Sequence, residues 1–162
     1  MEFKTEIFSQ FDKKWALLTA GSAKSFNTMT VSWGGMGTLW GKPVVTVYVR
    51  PNRFTYGFME ENGFFTLSFY PEEYRKDLAV LGKLSGRDCD KVAETSLTPA
   101  FLAEGVTFNE AETTLVLKKL YAQDLDPAAI PPEIRERVYG DGRPHRMYIG
   151  EVVDIIAGSM RG

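Results

Sequence analysis

Hydrophobic and polar residues alternate with period two over several short runs, the pattern of half-buried β-strands. The sharpest run is Phe26 to Trp33, where Met29, Val31 and Trp33 fall on one side and Thr28, Thr30 and Ser32 on the other. Such a strand can serve a packed core with one face and a polar ligand with the other. The same reading predicts strands over 14–20, 28–34, 43–50, 64–70, 113–123 and 147–157. Gly34-Gly35-Met36-Gly37 reads as a flexible loop. Helical signals are short. Thr55 reads as the N-cap of a helix over 56–61, stopped at Asn62-Gly63. Pro71-Glu72-Glu73 opens a second, carrying Leu78, Leu81 and Leu84. Ser85 with Asp88 predicts another helical turn over 88–94, and the proline-bounded stretch after Asp126 holds one over 133–138.

Antiparallel strands with short helices between them predict a mainly β chain closing as a barrel. A doubly wound parallel sheet needs regular strand–helix alternation, which is absent. No glycine-rich dinucleotide or P-loop signature is present either. The 162 residues suit one domain, 1–162, able to bury a core without disulfide or metal. The single cysteine, Cys89, excludes an internal disulfide and reads as structural. A net charge of -2 argues against a nucleic-acid partner. The N-terminus lacks a signal pattern, and no apolar stretch nears the roughly 20 residues that span a bilayer. A cytoplasmic protein with no membrane partner is expected. The aromatic supply, 11 Phe, 7 Tyr and 3 Trp, suits a β-rich core and also a flat ring ligand.

Candidate chemistry concentrates in three places. Arg50-Pro51-Asn52-Arg53-Phe54-Thr55 sets two guanidinium groups and a hydroxyl in one loop, a composition suited to phosphate. The helix that follows would add free N–H groups; the alternative is a pair of solvated surface arginines. Arg87 and Lys91 lie four apart, on one face of the predicted helical turn. They are ligand-directed cations or a solvated pair balanced by Asp88 and Asp90. The hydroxyls of 28, 30 and 32 offer hydrogen bonds to a ligand or line an ordinary wet edge strand. His145 is the only histidine and precedes the last strand; Tyr70 either flanks a ring or packs the core.

Asn27-x-Met29-Thr30-x-Ser32-Trp33, Arg50-Pro51-x-Arg53-x-Thr55, Phe64-Phe65-Thr66-Leu67-Ser68-Phe69 and Ser85-Gly86-Arg87-Asp88-x-Asp90-Lys91 follow one another in that order. In this the chain resembles the flavin reductase-like family of FMN-binding split barrels, and most of all its flavoredoxin-type branch, over residues 10–157. The resemblance implies a mainly β fold with short helices, a six-stranded Greek-key split β-barrel that pairs as a homodimer with FMN near the interface. It implies an FMN-binding oxidoreductase that moves reducing equivalents between FMN and a donor, either NADH or NADPH or a protein. A small molecule or protein would be the acceptor. Asn27, Thr28, Met29, Thr30, Ser32 and Trp33 would then form the flavin strand. Arg50, Arg53 and Thr55 would form the phosphate end. Ser85, Gly86, Arg87 and Lys91 would form a third cluster, with Lys91 reaching the phosphate or the pyrimidine carbonyl. His145 would lie near the flavin. No protein group would be catalytic and no metal is implied, since hydride transfer needs stacked rings and excluded water rather than a nucleophile. Two other readings stand beside it: an FMN-binding electron carrier that never meets nicotinamide, and a non-catalytic split barrel with an empty pocket or another flat ligand such as haem.

Overall fold

The computed structural model describes residues 2–158. A seven-stranded antiparallel sheet runs in the order β2-β1-β5-β8-β9-β4-β3. Its strands are β1 (Ala16–Ser22), β2 (Ser25–Val31), β3 (Gly34–Leu39), β4 (Lys42–Val49), β5 (Phe64–Phe69), β8 (Thr113–Asp124) and β9 (Arg146–Ala157). A separate hairpin joins β6 (Pro99–Leu102) to β7 (Gly105–Phe108). Four α-helices fill the connections: α1 (Ile7–Asp12), α2 (Thr55–Glu61), α3 (Arg75–Lys83) and α4 (Pro132–Tyr139). The expected split barrel is present, but with nine strands among the described residues where six were expected.

The sheet curls around one apolar cluster. Leu18, Met29, Val45, Val47, Phe65, Leu67, Leu115, Leu117 and Tyr148 meet inside it. They come from alternate positions of six strands, as period-two patterning demands. The outer face of β1 is covered too. Leu17 packs with Leu78 and Leu81 of α3 and with Phe108 of β7 in a second cluster. Tyr70 belongs to this cluster, with its hydroxyl 2.9 Å from that of Ser68.

The additional strands lacked a sequence signal for physical reasons. The glycine run expected to be a flexible loop is β3, paired along its length with β4 from Gly34↔Val47 to Leu39↔Lys42. It carries no alternating apolar face, so only its partner strand reveals it. Trp40 and Gly41 close this hairpin, both in the left-handed region at φ 53 and 70. Two-residue hairpins require that geometry and favour Asn-Gly there; here a tryptophan 64% exposed takes the first place. The short β6 and β7 pair only with each other. Helix α1, also unforeseen, is six residues long and capped by the Glu6 carboxylate, which accepts from the Phe8 and Ser9 amides. The helical turn expected over 88–94 is a 3-10 turn over Lys91–Glu94.

Inside the barrel, Gly150 of β9 lies under the Phe65 ring. A Cβ there would meet Phe65 Cζ at 2.8 Å and Leu117 Cβ at 2.9 Å. Both neighbours are fully buried and cannot step aside. Gly150→Ala is expected to destabilise the fold by about 1–3 kcal/mol through overpacking, measured by urea unfolding. Unchanged stability would contradict this packing.

Candidate functional site

The end of α3 gathers two cations. The last carbonyls of a helix have no partner within it, and its C-terminus carries about half a negative charge. Lys91 donates from Nζ to the carbonyls of Leu81 at 3.0 Å and Leu84 at 3.2 Å. Arg53 donates to the carbonyl of Gly82 at 3.3 Å. The tight turn after α3 makes this possible: Asp88 and Cys89 amides return to the Ser85 carbonyl, and the chain doubles back to deliver Lys91. Lys91 is only 3% exposed. Burial, and then Arg53 beside it, push its ammonium down to about 8. Burial also lowers the Arg53 guanidinium. Two unit charges thus face about half a charge from the helix. Among the described residues, no carboxylate lies within ion-pair distance of either.

These cations share a 180 Å³ cleft with Asn27, Asn52, Thr55, Lys83, Ser85 and Arg87, and with one carboxylate, Asp88, which forms no ion pair with either. Asn27 ties β2 to α2, donating to the Thr55 hydroxyl at 2.7 Å. Gly86 sits against Asn27 so closely that a Cβ would fall 2.2 Å from Asn27 Oδ1. Arg87 donates to the Asn52 carbonyl and lies 5.3 Å from the centre of the Phe54 ring. It is not on a helix with Lys91, as had been expected, because no α-helix forms there. Beyond Phe54 a second cavity of 540 Å³ opens between Lys24, Phe26, Asn27, Cys89 and Lys91. Cys89, expected to be structural, is exposed.

The other end of β2 is aromatic. Met29 to Trp33 line a 170 Å³ cavity with Tyr48 and His145. The His145 ring lies 5.5 Å from Trp33, 6.4 Å from Tyr48 and 5.4 Å from Tyr139. Its Nδ1 is 2.6 Å from the Tyr139 hydroxyl. Burial and the charge of Arg50 push His145 down to about 4, so it is neutral at neutral pH. Asn27 and Trp33 are six residues apart, roughly 20 Å along an extended strand.

Two sequence expectations fail here. Most of the hydroxyl face of β2 is taken up by the protein itself, Thr28 by β1 and Thr30 by α3, and only Ser32 and part of Thr30 are left at the aromatic cavity. Thr28 is fully buried, bonded to Thr19 at 2.8 Å, and Thr30 donates to the Leu78 carbonyl. Met29 is a core residue. From this strand the side chains at the two clefts are those of Asn27, Ser32 and Trp33, with Thr30 presenting only part of its surface. The two arginines of the 50–55 loop also part company. Arg53 turns to α3, whereas Arg50 turns to Asp141 at 3.2 Å and to Val138.

The sequence matches the flavin reductase like domain over residues 8–162. The chain belongs to that family. No curated protein matches it significantly by sequence. Among solved structures, flavoredoxin from Methanosarcina acetivorans is 18% identical with a TM-score of 0.70, covering 97% of this chain and 74% of that one. Flavoredoxin of Desulfovibrio vulgaris (Miyazaki F) is 22% identical with a TM-score of 0.69, covering 97% and 76%. An FMN-binding protein from Thermus thermophilus, solved with 1-cyclohex-2-enone, is 18% identical with a TM-score of 0.70, covering 97% and 80%. These likenesses establish the flavin reductase-like split-barrel fold.

In this family member the Lys91 charge carries a pH signature. Its folded value, about 8, lies below the ordinary 10.5. The cost of burying the charge is therefore present below pH 8 and is relieved as pH rises from there toward 10.5. Ligand-free stability relative to Lys91→Met should rise across that window by an amount of order 1–3 kcal/mol, read from urea melts of both proteins. Parallel pH profiles would contradict the assignment.

Proposed function

We propose that this chain binds FMN along β2 and acts as an oxidoreductase of flavin reductase or flavoredoxin type. One observation carries the reading: two cations, Lys91 buried and Arg53 half-buried, with no carboxylate among the described residues within ion-pair distance of either, stand at one end of β2 and an aromatic cavity lies at the other. A molecule with a phosphate at one end and a flat ring at the other is complementary to both. The donors fit it. Arg53 offers charge-assisted bonds to phosphate. Thr55 and the Ser85–Arg87 turn lie beside Arg53, and Gly86 lets that turn close against Asn27. Lys91 has a third N–H beyond its two carbonyls, available to the phosphate or to the pyrimidine carbonyl edge. Trp33, Tyr48 and His145 would wall the ring.

The flavin, when bound, supplies two-electron chemistry through its ring. The chain's own task is narrower. Arg53 and Lys91 would bind and orient the cofactor by its phosphate end. The aromatic wall keeps water from one face. Neutral His145 can accept or donate a hydrogen bond there without adding charge. A bound flavin would supply the hydride chemistry itself, with NADH or NADPH as the proposed donor, so no nucleophile or general base is asked of the chain. The same reading includes a homodimer; exposed Phe8, Trp33 and Trp40 supply apolar surface for a second copy.

Reconstitution with FMN should give a yellow protein that sediments at twice the chain mass. Anaerobic NADH or NADPH should bleach it. Bleaching by light and a sacrificial donor but by neither nicotinamide would replace the reductase with an electron carrier. A protein that stays colourless after FMN is added would refute the cofactor.

A further inference from the structure

Residues 126–145 leave the sheet between β8 and β9 and return to it. The excursion is pinched at its base, where the Leu125 amide donates to the His145 carbonyl at 3.0 Å and Arg146 pairs with Asp124 at 3.0 Å. Its helix α4 buries no residue. An element without buried apolar contacts is held by little else than its polar ties. Among the described residues, the polar ties of 127–142 to the barrel body are those of Arg50. Its guanidinium donates to the Val138 carbonyl at 3.5 Å, pairs with Asp141 at 3.2 Å, and lies 5.2 Å from the centre of the Tyr139 ring. Tyr139 in turn is bonded to His145, the wall of the aromatic cavity. The side chain is four-fifths buried at the end of β4, yet its Nε has no hydrogen-bond partner.

We infer that residues 126–145 form a lid at the edge of the aromatic cavity, meeting it through His145, and that Arg50 is its latch, a positioning residue that holds Tyr139 and His145 in place rather than an anion ligand. The planar fork suits this task. It reaches a carbonyl, a carboxylate and a ring face together, which a lysine ammonium cannot do. The groups around His145 define the readout: Trp33, Tyr48 and Tyr139 are uncharged, Arg50 is paired with Asp141, Arg143 turns to Asp124, and Arg146 is paired with both Glu60 and Asp124. With the latch open the lid would admit solvent to His145 and let a flavin leave. That last step rests on the proposed cofactor; the latch itself does not.

Ligand-free wild type, Arg50→Gln, Arg50→Lys and Tyr139→Leu should be compared by millisecond hydrogen exchange. Both Arg50→Gln and Tyr139→Leu are expected to speed exchange over 132–142 by about tenfold or more, since charge-assisted bonds and a ring contact are lost. The amides of β8 and β9 should be unchanged, and Arg50→Lys should recover less than half of the protection. His145, as the only histidine, gives a single set of imidazole NMR signals. Its titration midpoint should move from about 4 toward the ordinary 6.5 in Arg50→Gln. Wild-type exchange and titration in both Arg50→Gln and Tyr139→Leu would overturn the latch. In FMN-loaded protein, release should be about tenfold faster in Arg50→Gln; equal release from a lid shown to be open would overturn the gating. A chain that binds no FMN would sink the cofactor reading while the exchange data still decide the latch.

Discussion

The C-terminus of α3 is where the fold and the candidate site become one structure. Its unpaired carbonyls draw in Arg53 from the loop after β4 and Lys91 from the turn after α3. A helix end can accommodate cations, but its partial charge is smaller than the two it receives. The excess is largely withdrawn from solvent, and among the described residues no carboxylate stands within ion-pair distance of it. The cost of that excess is visible in the lowered Lys91 value, and under the proposed function an anionic phosphate would offset it. The same helix packs Leu78 and Leu81 into the second core. Its position is thus fixed by apolar burial, and the cations inherit that rigidity.

Strand β2 joins the two ends of the site without presenting its hydroxyls to either. Its inward residues, Met29 and Val31, belong to the barrel. Its outward threonines are taken up by its neighbours, Thr28 bonding to Thr19 and the Leu18 carbonyl of β1 and Thr30 to the Leu78 carbonyl of α3. The side chains left open at the clefts are Asn27 and part of Thr30, with Ser32 and Trp33 just beyond the strand's end. A strand whose two faces are both committed to packing offers a ligand mainly backbone and ends, a rigid arrangement for holding a flat ring.

The barrel strands were legible in the sequence because inward and outward positions alternate, as in Val44 to Val49 and Phe64 to Phe69. The flavin reductase like family was legible in the order of its short motifs. Strand β3 was not, because glycines at Gly34, Gly35 and Gly37 carry no pattern and pairing with β4 alone makes them a strand. The direction of the hydroxyl face was misread for a related reason: alternation tells that two faces differ, not what covers each. Arg50 and Arg53 looked equivalent three residues apart. Only the fold shows one turning to α3 and the other to the arm carrying α4. The pairing of Arg53 with Lys91 crosses 38 positions and leaves no local mark.

Affinity for FMN set against riboflavin tests the central claim most directly, since the two differ only in the phosphate. Titration calorimetry at fixed ionic strength should show FMN binding about 100-fold more tightly to the wild-type chain, with most of that margin lost in Arg53→Gln. Equal affinities for the two flavins, or a margin that survives Arg53→Gln and Lys91→Met alike, would show that the cations at the end of α3 do not hold a phosphate.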